Sequence, residues 1–486
     1  MISMEQKPRE ETILTTLDEA RTGRFHIKAI IVSGMGFFSD AYDLFVISTA
    51  IPILIFAFNI TSTNNIFGTP YIGPLRSASV ETGLIGAMAL FGAFVGAVVF
   101  GRIADIKGRK FTYGVEMAIL VSFAIISAFS VNVYMLMITR FILGIGVGGD
   151  YPISATIMSE YASMRNRGKM VLSVFSMQGF GLLTGAVVGI VSVHLLPLGS
   201  AWRFMLGFGA IPAASVIYLR RKIRETPRFS LQIKGDADAA ARAVSDVTGK
   251  AREPAAAPVE VQRPGRGGKL LRKYWVVILG TAGSWFLFDM AFYGTSVNSG
   301  AILQQIGYGA VAGNLKATIF NIAVGNAILA GVFAIPGYWV AVGLVDRVGR
   351  KALQWIGFTA MAAIYFIFAI NYVGIQKDLL LFISLYGFSY LFGNIGPNST
   401  TFLLPTELFP TQIRTTGHGI AAAAGKLGAG IFTFLEPIIY TVNGPSTVFG
   451  LLSGFSMLAI VLTIFTIEET KNRSLETISL RMNGGE

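Results

Sequence analysis

The chain has no cysteine in 486 residues, which excludes disulfides, thiolate metal sites and thiol redox chemistry. It is also poor in charge. Charged residues make up 14% against 53% hydrophobic ones, and the mean hydropathy is +0.61; a soluble domain carries about 25% charge. No phosphate-cradling glycine loop, metal-ligand cluster or nucleophile–base constellation occurs. ATP-driven pumping and enzyme chemistry are therefore without support, and no metal or cofactor is implied. The first 25 residues are charged and polar, without the apolar run and small-residue cleavage site of a secretory leader.

What the chain has is apolar stretches of membrane-spanning length. Breaks at charges and turn residues give twelve candidate helices, at 26–57, 80–101, 111–131, 133–158, 168–194, 201–222, 274–303, 317–343, 352–372, 378–404, 415–442 and 446–467. The first, fourth and seventh are read as broken or extended. The expected fold is an all-α integral membrane protein with twelve transmembrane helices in two pseudo-symmetric six-helix bundles. Its surroundings are the lipid bilayer.

The net charge of +12 does not point to nucleic acid, because the cations cluster in alternate loops. Lys7, Arg9, Arg21, Arg24 and Lys28 precede the first helix, and Arg102, Lys107, Arg109 and Lys110 follow the second. Arg165, Arg167 and Lys169 follow the fourth, and Arg347, Arg350 and Lys351 follow the eighth. The intervening loops are nearly bare, with Arg76, Arg203, Lys316 and Lys377 as exceptions. By the positive-inside rule both termini and the middle loop are cytoplasmic.

The polar, alanine-rich stretch between the sixth and seventh helices reads as a mobile connector carrying one short helix at most. The expected organisation is a cytoplasmic segment 1–25, a bundle 26–222, a linker 223–273, a second bundle 274–467 and a cytoplasmic tail 468–486. The halves echo one another. DIKGRK at Asp105–Lys110 recurs as DRVGRK at Asp346–Lys351, and ETPRFSL at Glu225–Leu231 recurs as ETKNRSL at Glu469–Leu475. Glu160 and Arg167 are matched by Glu407 and Arg414. A repeat of six helices plus six forms its solute site between the halves near the midplane. The repeated charges, Asp105, Arg109, Glu160 and Arg167 with Asp346, Arg350, Glu407 and Arg414, are read as ion pairs that gate the cytoplasmic face.

Charges inside the apolar helices matter more, since each costs several kcal/mol, roughly 2.5–3.5 on insertion scales, and is by default functional. Asp289 lies in WVVILGTAGSWFLFDMAFYGTSV with Trp285 and Tyr293 one turn away on either side, so the three line one face. Lys426 lies in AAAAGKLGAGIF with no neighbouring charge. Asp150 follows a glycine-rich run, and Arg140 is its expected charge partner. Tyr151 and Tyr293 alone would read as packing aromatics, and Gln178 and Asn398 as interhelical hydrogen-bonding groups. Glu116 and Glu436 stay outside the main site, and His418 reads as a polar lining residue near the cytoplasmic end.

The loops resemble the major facilitator superfamily. GRIADIKGRK at Gly101–Lys110 is similar to its GxxxDxxGRK signature, with Val342 in place of the first glycine in the second copy. Arg140–Gly149, ETPRF at Glu225–Phe229, PTELFPTQIR at Pro405–Arg414 and EETKNRSLE at Glu468–Glu476 look like sugar-porter motifs. A narrower match, GGDYPISATIMSEYA at Gly148–Ala162, resembles the signature of the phosphate:proton symporters. FFSDAYDLFVI at Phe37–Ile47, SMQGFG at Ser176–Gly181, WFLFDMAFYG at Trp285–Gly294, and Gly396–Pro410 with Ala421–Gly430 resemble further stretches of that family in the same order.

The resemblance implies the major facilitator fold and proton-coupled import of inorganic phosphate across the plasma membrane. It assigns phosphate contacts to Tyr151, Gln178, Trp285, Asp289, Tyr293, Asn398 and Lys426, and proton handling to Asp40, Asp150 and Asp289. Asp43, three residues from Asp40 and on the same face, is a candidate for the same proton role. The seven contacts supply hydroxyl, indole and amide donors with one cation, which suits an anion stripped of water. A same-fold transporter of sugar or organic anion, and a phosphate-sensing receptor without significant flux, are the competing readings.

Overall fold

The computed structural model describes residues 7–20, 22–60, 77–221, 223–249 and 267–482, which contain helices and no strands. Within hydrocarbon a helix satisfies every backbone donor and acceptor internally, so apolar runs of this length fold locally. Among the described residues twelve helices are long and apolar enough to cross a membrane. In order they are Arg24–Ala57, Val80–Lys107, Arg109–Ala128, Val133–Tyr161, Met164–Leu195, Leu198–Arg220, Trp275–Val297, Leu315–Val348, Arg350–Ile375, Leu379–Leu408, Arg414–Asn443 and Pro445–Thr466. We call these the first to twelfth spans.

The fourth span is one extended helix with Pro152 inside it. The first is two consecutive helices, Arg24–Phe45 and Ile47–Ala57, that meet at Val46, and the seventh ends at Asn298 before a short helix, Ser299–Gln305. Several further spans are interrupted where no break was expected, and two of these breaks bear on the site. The fifth span is divided at Ser176, and the tenth at Gly396, where Pro397 opens a new helix because it has no N–H to continue the old one. Gln178 and Asn398 each occupy the second position after such a break. The halves meet where the second span packs on the eleventh and the fifth on the eighth.

The linker is more ordered than expected. Phe229–Ile233 forms a π turn, Ala237–Thr248 an α-helix capped by the Asp236 side chain, and Gly267–Lys273 a helix leading into the seventh span. Ala240, Ala243, Val244 and Val247 are buried, and the N-terminal helix Lys7–Asp18 packs there with Leu14 and Leu17 inward. Their three- and four-residue spacing is an apolar stripe that the alanine-rich composition disguises. Residues 250–266, which hold most of the linker prolines, and Arg76 lie outside the described residues.

Candidate functional site

The seventh and eleventh spans approach closely because the eleventh carries glycines at the contact. A Cβ on Gly425 would lie 2.4 Å from the Trp285 ring, and one on Gly428 2.5 Å from the Phe286 carbonyl oxygen. That approach brings Lys426 to the face that Trp285, Asp289 and Tyr293 share. Lys426 Nζ donates to Asp289 Oδ2 at 3.0 Å and to the Tyr293 hydroxyl at 2.9 Å. It also lies 4.1 Å from the centre of the Tyr293 ring and 4.6 Å from that of Tyr151, whose hydroxyl is 3.4 Å from that of Tyr293. Both partners of the ion pair are buried, and Asp289 Oδ1 has no hydrogen-bond partner among the described residues. The pair is electrically neutral, and removing either member leaves an uncompensated buried charge.

Aromatic rings wall this cluster. Tyr293 stacks on Phe45, and Trp285 meets His418 and Phe402 edge to face. His418 is buried with Nε2 3.0 Å from the Phe402 carbonyl oxygen, a lining position. Asn398 is not joined to Lys426 by a hydrogen bond; it donates to the Tyr338 hydroxyl at 2.8 Å and to Asn394 Oδ1 at 2.6 Å. Gln178 is buried with its amide nitrogen unpartnered, and its neighbour Gly179 abuts the Tyr338 ring. Tyr338 thus joins the candidate site, and the sequence analysis did not single it out. In IPGYWV, beside Trp339, it carries the pattern of an interfacial aromatic.

On the side away from the linker, Phe45, Ser48, Thr49, Ser296, Ser299 and Asn326 help to line a cavity of about 30 Å³ between the halves. Asn326 donates to Ser48 Oγ at 3.3 Å and accepts from Ser299 Oγ at 2.8 Å, linking the eighth span to the first.

The remaining candidates for proton handling, Asp40, Asp43 and Asp150, lie in the first half. Asp150 does not pair with Arg140. Its carboxylate is gripped by Arg220, while Arg140 donates to the backbone oxygen of Asp43 at 2.6 Å. Arg140 lies ten residues, about 2.8 turns, before Asp150 on one helix, so the two point to different neighbours. Asp40 and Asp43 are buried, and among the described residues none of their four carboxylate oxygens has a hydrogen-bond partner.

A sugar (and other) transporter family model matches residues 28–481. The chain belongs to that family. Inorganic phosphate transporter 1-1 of Oryza sativa subsp. japonica is 37% identical over 98% of this chain and 97% of its own length. Probable inorganic phosphate transporter 1-6 of Arabidopsis thaliana is 36% identical over 96% of each. Among solved structures, the MFS proton:xylose symporter XylE bound to 6-bromo-6-deoxy-D-glucose is similar at a TM-score of 0.75, over 95% of this chain and 100% of that one. At 20% identity that likeness speaks for the fold.

In this member of the family, the repeated loop motifs meet on the face that carries the linker. Arg109 contacts Asp105 and Glu160, each at 3.2 Å, and Arg350 contacts Asp346 and Glu407, each at 2.9 Å. Glu225 accepts from the backbone N–H groups of Arg109 and Lys110, and Glu469 accepts identically from Arg350 and Lys351. Thr226 donates to Glu160 as Thr470 does to Glu407. Several bonds cross between halves. Arg414 pairs with Glu160 at 3.0 Å, Arg167 with Glu407 at 3.7 Å, Asp105 accepts from Thr416, and Asp346 accepts from the Lys169 backbone. Arg228 of the linker adds Asp18 of the N-terminal helix and Glu476 of the C-terminal helix Leu475–Met482, at 2.8 and 2.9 Å.

Proposed function

We propose that the chain imports inorganic phosphate together with protons by alternating access, with the Lys426–Asp289 pair at the centre of the cycle. The observation that carries this reading is the buried lysine held between a carboxylate and two tyrosine hydroxyls, in a chain whose relatives are named inorganic phosphate transporters. Protonating Asp289 removes its charge and frees Lys426 for an anion. The charge of the centre is then conserved, and proton and phosphate each favour the other's binding. Trp285, Tyr151 and Tyr293 supply donors around the anion, and Gln178 and Asn398 supply amides from the segments after the two helix breaks. Asp40 and Asp43 handle protons in the first half, and Asp150 belongs to the same coupling group through its pairing with Arg220.

Import of an anion into a negative interior is opposed by about 2.3 kcal/mol per charge per 100 mV. Two or more accompanying protons make the movement neutral or favourable. The setting proposed is the plasma membrane with both termini cytoplasmic, since the basic loops share the linker's side. The linker-side ion pairs then hold the cytoplasmic exit closed.

The test is uptake of labelled phosphate into proteoliposomes under an inward proton gradient, comparing the intact protein with Asp289→Asn. Gradient-driven accumulation that the variant loses, and that excess sugar does not inhibit, is expected. A neutral sugar has no charge to exchange for that of Asp289, so accumulation of sugar instead of phosphate would replace this reading with the sugar one. Phosphate binding without flux would favour a receptor.

A further inference from the structure

Arg220, the last residue of the sixth span, takes part in neither the Lys426 cluster nor the linker-side ion pairs. Its side chain is fully buried. Nη1 donates to Asp150 Oδ1 and to Glu116 Oε1, both at 3.0 Å, and Nη2 donates to Asp150 Oδ2 at 2.8 Å. The guanidinium lies 4.2 Å from the centre of the Tyr113 ring, and Ser154 Oγ completes the cradle by donating to Asp150 Oδ1 at 2.6 Å. A Cβ on Gly36 would sit 1.7 Å from Arg220 Nη2 and 2.2 Å from Asp150 Oδ2, so only a glycine lets the first span lie against this pair.

Asp40 lies one turn beyond Gly36 on the first span. The charged groups around it are Asp150, Arg220, Asp43 and Glu116, with Arg140 beside Asp43 and Lys426 across the interface. Asp40, Glu116 and Asp150 with Arg220 sum to two excess negative charges if every acid ionises, a state that a dry interior does not tolerate. Protons must therefore reside on this cluster, and the geometry is unequal. Asp150 has both oxygens on a guanidinium, Glu116 has one, and Asp40 has no hydrogen-bond partner among the described residues.

We propose that Arg220 is a positioning residue for proton coupling: its two-pronged grip occupies both oxygens of Asp150 and so directs the cluster's exchangeable protons to Asp40 and Glu116. This rests on the proton-coupled reading above. Because Asp150 precedes the Tyr151 of the Lys426 cluster, the grip also ties the charge state of the first half to the segment that faces the substrate site.

The test separates exchange from coupling. Phosphate counterflow without a pH gradient is compared with gradient-driven accumulation across external pH, for the intact protein, Arg220→Gln and Arg220→Lys. For R220Q, driven accumulation is expected to fall at least about tenfold and much more than counterflow, with the residual pH profile displaced about one to two units to the alkaline side, the usual size of a lost neighbouring charge. R220K keeps the charge without the bidentate fork and should fall between. A parallel infrared pH titration, which needs no phosphate, should show more protonated buried carboxyl at neutral pH in R220Q than in the intact protein, and no such gain when Asp150→Asn is added. Unchanged pH profiles and infrared bands in both Arg220 variants would overturn the proposal, as would equal loss of counterflow and driven uptake in folded protein. If R220Q does not fold, the same readouts on R220K decide, and absence of any shift there overturns it. Should the intact protein show no phosphate counterflow, the transport reading fails, and the infrared result alone decides the role of Arg220.

Discussion

Glu160 of the fourth span and Arg414 of the eleventh meet at 3.0 Å across the two halves, and their repeat counterparts Glu407 and Arg167 meet at 3.7 Å in the opposite sense. Each copy of the motif thus gives its acid to the arginine of the other copy. Both contacts are buried, so they stabilise the state in which the linker-side ends touch and are lost when those ends part.

Replacing Glu160 by glutamine weakens its contacts to Arg109 and Arg414 together. Because the chain has no cysteine, Ser159→Cys provides a single thiol, buried at a cross-half contact with Thr406. Labelling of that thiol by a membrane-impermeant reagent from the linker side should be about tenfold faster or more in E160Q, equivalent to a shift of about 1.4 kcal/mol. Equal rates would mean that the pair does not hold the closed state.

Lys426→Ala leaves Asp289 buried without its cation. Uptake should be abolished, and stability should drop by up to about 3–5 kcal/mol if the carboxylate stays ionised, less if it protonates. The double variant K426A/D289N should regain much of the thermal stability and none of the transport. A double variant no more stable than K426A would remove the charge-pair explanation.

Tyr338→Phe deletes the hydroxyl that accepts from Asn398. A neutral hydrogen bond contributes about 1 kcal/mol, so the KM for phosphate should rise about fivefold with kcat nearly unchanged. An unaltered KM would place Asn398 and Tyr338 outside the binding step.

Outside the membrane, burial alone would raise the Glu476 carboxyl, but the charge and hydrogen bond of Arg228 outweigh it and hold the group at about 2. A depressed acid stabilises the fold above its ordinary value of 4.5 and loses that contribution as pH falls toward about 2. Glu476 keeps 31% of its side chain exposed, so about 1 kcal/mol or less is expected. The melting temperature of the intact protein should exceed that of Glu476→Gln at pH 7, and the gap should narrow by pH 3. A gap that widens on acidification would contradict the pairing.

Much of the site was legible because intramembrane charge is rare. Asp289 and Lys426 stand out in apolar sequence, and the spacing of Trp285 and Tyr293 aligns them with Asp289 on one helix. Arg220 was hidden for the opposite reason. In YLRRKIRE it reads as one more cation at the end of a span, where the positive-inside pattern already accounts for arginines. Arg140 drew the pairing with Asp150 because it was the cation in view on the same helix. The linker helix escaped notice because its buried face is alanine and valine at helical spacing inside a composition typical of flexible chain.

By itself the sequence determined the twelve spans, the doubled motifs and the stock of buried charges. A bilayer forces each apolar run of sufficient length to satisfy its own backbone, which is a local requirement. Tertiary structure decided the partners: Arg220 rather than Arg140 for Asp150, Arg109 and Arg414 for Glu160, and Tyr338 for Asn398. Those choices depend on how each helix is rotated and at what depth it meets its neighbours. Glycine contacts and break points on separate spans set that jointly, and no single stretch of sequence contains it.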